Sequence, residues 1–132
     1  MKFTAICENH LYSKAYSKGK RYAGKYIAVH ILPDYASERL RRAHPLKIKV
    51  NRIGLTVSKK VGGAVVRNRV KRILREGYRA SLTDNGIKVG FLIVIVARSA
   101  AAEAKSADIA SELSRAWRKL DMLVTTESNL PN

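Results

Sequence analysis

With 132 residues, the chain is long enough for one compact domain and short for two. Its 26 Lys and Arg against 10 Asp and Glu give a formal net charge of +16, which predicts a polyanionic partner such as ribosomal RNA, transfer RNA, DNA or an anionic membrane. The single cysteine excludes an internal disulfide and a thiolate-rich metal site, and no apolar run approaches the roughly 18–20 residues of a membrane span, so we expect a cytoplasmic protein that does not span a membrane.

The first predicted element is a short helix that carries two tyrosines. Asn9 is a suitable N-cap, and Gly19 follows Lys18 at a place where helices commonly end. Tyr12 and Tyr16 are four residues apart and therefore lie one above the other on the helix surface. Such a pair either packs against the core or offers stacking platforms to successive bases of a single strand. The helix alone leaves both readings open.

A basic loop leads from this helix into a predicted strand over residues 26–32, which Pro33 closes. The side chains alternate, so His30 lies on the face opposite the apolar Ile31. A lone histidine at this position is either a packing or rim residue, or it extends the aromatic surface that the two tyrosines begin. Further on, alternation over residues 46–50 and again over 52–58 predicts two more strands.

The most informative segment is 58–79, with the sequence SKKVGGAVVRNRVKRILREGYR. On a helix, Val66, Val70, Ile73 and Gly77 fall on one side and form an apolar stripe that needs a core to cover it. The other side is basic. It collects Asn68, Lys71, Arg72, Arg75 and Arg79, with Arg67 and Arg69 at its two edges.

A basic helix face of this kind has two explanations. Most charged helix faces are simply solvated, but Lys71, Arg75 and Arg79 are like-charge neighbours at i,i+4 spacing, and each such pair is unfavourable by roughly a few tenths of a kcal/mol. A surface selected only for solubility would mix both signs. Gly62 and Gly63 precede the helix, where glycines let backbone N–H groups approach a phosphate. We therefore interpret the face as a footprint for nucleic acid.

The C-terminal part predicts a strand and a final helix. Residues 89–97 are almost uniformly apolar, as expected of a central strand that is covered on both faces. Together with the basic helix and the strand before it, this strand would form a crossover unit, and such units are right-handed in about 98% of cases. The final helix begins at Ser106 and carries an apolar stripe. The stripe consists of Ile109, Leu113, Ala116, Trp117 and Leu120.

Within residues 52–76 the pattern becomes specific for one family. The run Arg52-Ile-Gly54, then Ser58-Lys59-Lys60-Val-Gly62, Ala64-Val65 and Arg67-Asn68-Arg69-Val-Lys71-Arg72, resembles the signature of the bacterial ribonuclease P protein subunit. The length, charge and order of elements in the rest of the chain agree with this resemblance.

The fold class expected on this basis is α+β, an α/β sandwich with the element order α-β-β-β-α-β-α. One RNA-binding domain would span residues 1–124, followed by a flexible tail at 125–132. The resemblance implies the rare left-handed sense for the crossover. It also marks residues 34–51 as an insertion, which either adds an RNA contact or only lengthens a hairpin.

The resemblance further implies a role in ribonuclease P, the endoribonuclease that removes the 5′ leader from precursor tRNA. Its active site belongs to a catalytic RNA, so no catalytic residue is expected in this chain. The residues implied to bind the RNA subunit are Arg67, Asn68, Arg69, Lys71, Arg72 and Arg75. The residues implied to bind the single-stranded leader are Tyr12, Tyr16, His30, Ser58, Lys59 and Lys60.

The implied cofactor is Mg²⁺, held mainly by the RNA and by water, and the protein is expected to lower the Mg²⁺ that cleavage requires. No organic cofactor and no obligate protein partner are expected; the partners are the catalytic RNA and the leader. The histidines His10, His30 and His44 are scattered, and no nucleophile elbow or Walker loop occurs. Two rival functions stay open: a non-catalytic RNA-binding protein of ribosomal type and a self-sufficient ribonuclease.

Overall fold

The structure, a computed structural model, describes residues 9–34, 51–82 and 86–123. These residues form a three-layer α+β fold, in which one helix covers one face of a four-stranded sheet and two helices cover the other. The predicted fold class is confirmed, and the predicted order of helices and strands agrees in outline. The elements are α1 (Asn9–Lys18), β1 (Lys20–Ala23), β2 (Ile27–Pro33), β3 (Arg52–Thr56), α2 (Ala64–Ser81), β4 (Phe91–Ala97), a 3₁₀ helix (Ser99–Glu103) and α3 (Ser106–Lys119).

The strands are arranged in the order β1-β2-β4-β3. β4 is therefore central, as its uniformly apolar sequence predicted, and it runs antiparallel to β2 and parallel to β3. Since β3 and β4 run in the same direction, α2 is the crossover between them. The left-handed sense of this crossover stays a prediction from the family resemblance.

Alternate residues of β2 and β4 enter two separate cores. The outer core lies under α1, and it is small: Ala15 packs against Leu32, Leu92 and Val94. The inner core lies under α2 and α3 and holds most of the buried apolar side chains. Its largest fully buried members include Ile27, Val29, Val70, Leu74, Ile93, Ile95, Ile109, Leu113 and Trp117.

The two inner helices pack closely because α2 carries a glycine where they meet. A Cβ at Gly77 would lie 2.6 Å from Cγ2 of Ile109, which is closer than side chains tolerate. One turn further on, the indole Nε1 of Trp117 donates a hydrogen bond to Oγ of Ser81 at 3.0 Å. Tyr78 meets the indole edge to face at 6.2 Å between ring centroids. These contacts fix α2, and with it the basic face, against α3.

Polar contacts clamp the sheet where residues 34 and 51 meet it. Asp34 is buried and accepts two hydrogen bonds from the guanidinium of Arg52, at 2.6 Å and 2.8 Å. Its backbone N–H donates to the carbonyl of Gly90 at 2.9 Å. Asn51 bonds to both sides of the same turn, because its amide donates to the carbonyl of Lys88 and accepts from the N–H of Phe91. The end of β2 and the start of β3 are thus tied to the start of β4.

Three details of the sequence interpretation are wrong. The first part of the basic loop after α1 forms β1, an edge strand that pairs with residues 28–31 and needs no apolar inner face to do so. Val66 does not join the buried stripe of α2 and is 36% exposed, because the helix meets the core only from Val70 onward. Val89 is half exposed and precedes β4.

Several predictions fall outside the described residues. They are the strand at 46–50, the remainder of the insertion between residues 35 and 50, and the flexible tail at 125–132. The domain limits of 1–124 likewise stay a prediction.

Candidate nucleic-acid interface

The outer face of the sheet forms a trough beside α1. The close approach of the helix end to β2 requires Gly19, since a Cβ there would lie 2.5 Å from the carbonyl oxygen of Ala15 and 2.7 Å from that of Ile31. The ring of Tyr12 lies directly over β3, where a Cβ on Gly54 would come within 2.6–2.7 Å of its atoms. The predicted tyrosine therefore packs half-buried on the sheet, and a glycine makes room for it.

Tyr16 stands one turn further along α1 and forms the wall of the trough. It is 42% exposed, and its ring meets the His30 ring edge to face with 4.8 Å between the centroids. Its hydroxyl and Oγ1 of Thr56 share a hydrogen bond at 3.3 Å. The structure thus brings together three of the predicted leader-binding residues, Tyr12, Tyr16 and His30, on one surface. An aromatic wall with exposed ring area is suited to stacking of bases.

The surroundings of His30 favour the neutral form of its imidazole, because they lower its pKa. Burial lowers the pKa of its imidazole below 6.5, and the guanidinium of Arg21, its cross-strand neighbour, lowers it further. Its Nδ1 is buried and has no hydrogen-bond partner among the described residues. The imidazole therefore acts in the trough mainly as a flat, neutral ring.

The floor of the trough is a row of small side chains that the sequence interpretation missed. The strand register aligns Ala23, Ala28, Val96 and Thr56 across all four strands on the outer face. None of these side chains is large, so the floor of the trough is low and the neighbouring aromatic rings project above it. The signal is weak in sequence, because each residue comes from a different strand and only the register joins them.

The second predicted surface is the basic face of α2. Asn68, Arg72 and Arg75 are exposed, and Lys71 is half-buried beside them. Among the described residues, the ion pair on this face joins Arg72 to Glu76 at 3.9 Å across one turn, with both side chains at least half exposed, so it neutralises little charge. The face is therefore available to a polyanion.

Arg69 differs from the other cations of α2. Its guanidinium donates two hydrogen bonds to backbone carbonyls that flank the end of the 3₁₀ helix, those of Ala102 at 3.0 Å and Ala104 at 2.9 Å. Arg67 is half-buried as well, and its Nε has no hydrogen-bond partner among the described residues. Two of the six residues predicted to bind the RNA subunit, Arg67 and Arg69, thus lie partly buried against the rest of the protein. Arg69 holds the end of the 3₁₀ helix in place.

The segment between the two surfaces follows directly from β3. Ser58, Lys59 and Lys60 are exposed in a turn, closed by a hydrogen bond from the N–H of Val61 to the carbonyl of Ser58. α2 then begins after Gly63, which provides no side-chain cap. A single stretch of chain therefore leads from Thr56 in the trough, through the two lysines, to the basic helix.

Magnesium does not fit a site built from this part of the chain. Among residues 9–34, 51–82 and 86–123, no group of three or more His, Cys, Asp or Glu side chains could hold a metal ion. Over the same ranges, none of the helices has the length and apolar character needed to cross a membrane.

Comparison with known proteins agrees on one family. The family model described as Ribonuclease P matches residues 2–121. The chain is 32% identical to the ribonuclease P protein component of Clostridium acetobutylicum over 98% of its own length and 99% of the relative's, and 34% identical to that of Clostridioides difficile over 86% and 88%. Solved structures with the same fold include the RNase P protein of Staphylococcus aureus (TM-score 0.71, 25% identity, 93% of this chain and 100% of that one) and a mutant of it with defective mRNA degradation activity (TM-score 0.70, 26% identity, 90% and 89%).

Proposed function

Because the chain belongs to the ribonuclease P protein family, we propose that its two surfaces divide the work of the holoenzyme between substrate and ribozyme. The chain is a protein component of this endoribonuclease, in which RNA carries out catalysis, and it takes part in tRNA processing together with RNase P RNA and precursor tRNA. The finer division proposed here rests on one observation: an aromatic trough and a cationic helix are joined by a single short stretch of chain.

The trough is proposed to hold the single-stranded 5′ leader. Tyr16 and His30 supply ring faces and edges, and base stacking on such rings is worth about 1–3 kcal/mol per base without a strong preference for sequence. The floor of small residues leaves room for bases above the sheet. Ser58, Lys59 and Lys60 stand at the end of β3, where exposed ammonium groups can neutralise the phosphates of the same strand.

The basic face of α2 is proposed to bind the RNA subunit. Arg72 and Arg75 are exposed and can form bidentate hydrogen bonds to phosphate, while Lys71 adds a point charge. Asn68 stands on the same side of the helix and offers an amide to sugar or phosphate oxygens. Arg67, which is half-buried, is proposed to reach RNA only with the part of its guanidinium that the protein leaves exposed, whereas Arg69 is proposed to act indirectly, through the end of the 3₁₀ helix that it holds.

The protein is proposed to lower the concentration of Mg²⁺ needed for cleavage. Two RNAs must approach each other, and their phosphates repel unless cations lie between them. A protein of net charge +16 supplies fixed cations in place of part of the diffuse ions. The catalytic ions themselves are assigned to RNA and water, in agreement with their preference for oxygen ligands. A cytoplasmic location, as the sequence predicts, is part of the same proposal.

The test is precursor tRNA cleavage in three arms at limiting Mg²⁺: protein alone, catalytic RNA alone, and both together. We expect cleavage only in the combined arm, and we expect the Mg²⁺ titration midpoint to fall when the protein is added. An mRNA fragment belongs in the protein-alone arm, because one structural relative is a mutant with defective mRNA degradation activity. Cleavage by the protein alone would favour the self-sufficient nuclease, and an unchanged midpoint would favour a passive RNA-binding protein.

A further inference from the structure

A cavity lies at the end of the sheet opposite the Lys59–Lys60 turn. Its volume is about 300 Å³, at the lower end of the roughly 300–1,000 Å³ typical of small-ligand sites. It is bounded by the end of α1, the start of β1, the end of β2, the start of β4 and the turn after α3. β3 leads away from this end toward the trough floor and α2, so the cavity is separate from both surfaces described above.

The cavity combines an apolar wall with a cationic rim. Pro33, Phe91, Leu120 and Met122 supply the wall, in which Leu120 and Met122 are buried and Phe91 is half-buried. The rim carries three lysines from three different elements: Lys18, Lys20 and Lys88.

Among the described residues that line the cavity, one acid opposes these lysines. Asp121 forms an ion pair with Nζ of Lys88 at 3.3 Å, and its backbone is left-handed, with φ of 57°. With this acid subtracted, the rim carries two net positive charges. An anion is therefore favoured over a metal ion, and the apolar wall favours an anion that also has a flat ring.

We propose that this cavity is a binding site for one nucleoside monophosphate unit, with its base against Phe91 and its phosphate among Lys18, Lys20 and Lys88. The unit comes either from a free nucleotide or from an unstacked nucleotide of a bound RNA, and the recognising chemistry is the same in both cases. The site requires both halves of the ligand, because the lysines bind charge and the wall binds the ring. This inference does not rest on the proposed division between leader and RNA subunit.

The test is a titration of the ¹⁵N-labelled full chain, followed by NMR, with 5′-AMP, adenosine and inorganic phosphate in parallel. We expect 5′-AMP to cause saturable shifts of the amides of Leu32, Phe91 and Met122. The apparent affinity for 5′-AMP should exceed that for adenosine or phosphate at least fivefold. Equal affinity for phosphate and 5′-AMP would refute the base-binding half of the site, and shifts confined to Tyr16 and His30 would refute the site itself.

Three variants identify the groups responsible. Lys20→Ala with Lys88→Ala should weaken 5′-AMP binding at least fivefold, whereas Lys25→Ala, an exposed lysine in the β1–β2 turn, should leave it unchanged. Asp121→Asn should strengthen binding about two- to fivefold, because it releases Lys88 and because asparagine tolerates the left-handed backbone. A gain of affinity cannot arise from a damaged fold. The proposal would be overturned if the affinity for 5′-AMP were unchanged both in Asp121→Asn and in the separate variant that carries Lys20→Ala and Lys88→Ala.

A second titration, of the protein bound to its catalytic RNA, distinguishes the two sources of the ligand. Loss of the 5′-AMP shifts at Leu32 and Phe91 would show that a nucleotide of the RNA occupies the cavity. Retention of these shifts would identify a free nucleotide as the ligand.

Discussion

Replacement of Arg69 by alanine should destabilise the fold and leave the electrostatics of RNA binding nearly unchanged. Its guanidinium donates two hydrogen bonds, at 3.0 Å and 2.9 Å, to carbonyls at the end of the 3₁₀ helix. A hydrogen bond that involves a charged group contributes about 1.5–3 kcal/mol. Since this side chain is only half-buried and the two bonds are not additive, we expect the free energy of unfolding to fall by about 2–4 kcal/mol. Arg69→Lys can satisfy one carbonyl and should lose about half as much.

Arg72→Ala is the matched comparison, because it removes the same charge from the same helix. The ion pair of Arg72 with Glu76 is long and exposed, so its loss should change stability by no more than about 0.5 kcal/mol. If Arg72 contacts a phosphate of the RNA subunit, the slope of log affinity against log salt concentration should become shallower by about 0.7–0.9. Arg69→Ala should leave that slope unchanged.

Two measurements on the same protein preparations decide the matter. Urea unfolding followed by circular dichroism gives the free energies, and filter binding of the catalytic RNA between about 50 and 400 mM salt gives the slopes. Arg69 would have no structural role if Arg69→Ala were as stable as the unsubstituted protein while its slope of log RNA affinity against log salt concentration became shallower. That result would make Arg69 a phosphate contact like its neighbours.

Three further predictions concern the trough and the core. Tyr16→Ala should weaken binding of leader-bearing precursor tRNA by about 1–3 kcal/mol and leave the binding of leaderless tRNA unchanged. Tyr16→Phe keeps the ring and should bind both RNAs nearly as well as the unsubstituted protein. Equal losses of affinity for both RNAs in filter binding would contradict a stacking role for Tyr16. Gly77→Ala should lower the free energy of unfolding by about 1–3 kcal/mol, because the added Cβ collides with the facing helix α3. Gly63→Ala is the control, since its Cβ would meet nothing within 4 Å, and it should change this free energy by about 0.5 kcal/mol or less. Equal urea midpoints for the two variants would disprove the close packing. The pKa of His30 is lowered in the folded chain, so the contribution of this side chain to stability is present above pH 6.5 and is lost as the pH falls. His30→Phe should remove this pH dependence from the free energy of unfolding measured in urea. An unaltered pH profile would exclude His30 as its source.

Local signals account for the parts of the fold that the sequence predicted well. Residues typical of helix ends and the apolar periodicity predict α1 from Asn9 to Lys18 and the start of α3 at Ser106. The structure places both helices at these residues. In α3 the carboxylate of Asp108 accepts a hydrogen bond from the N–H of Lys105, so an acid in the first turn stabilises the helix start. β1 escaped the same approach, because an edge strand of Lys, Arg, Tyr and Ala has no apolar alternation to reveal it.

The site was less predictable because its contacts are long in sequence. The composition of α2 indicates a basic face, but it does not distinguish Arg69 from Arg72. The carbonyls that Arg69 binds lie 33 and 35 residues further along the chain, and backbone carbonyls have no signature in a sequence. Similarly, Thr56 reaches Tyr16 across 40 residues, so its place in the trough appears only when the strand register is known.

The clamp at Asp34, Asn51 and Arg52 makes the segment between residues 34 and 51 a convenient attachment point. Both of its ends are fastened to the start of β4 by side-chain and backbone hydrogen bonds, so a change in the length between them does not need to move the sheet. We expect a reporter dye or an affinity handle attached between these two clamped ends to leave the trough and the basic face of α2 in register. The assembled ribonucleoprotein could then be followed by fluorescence without labelling either RNA.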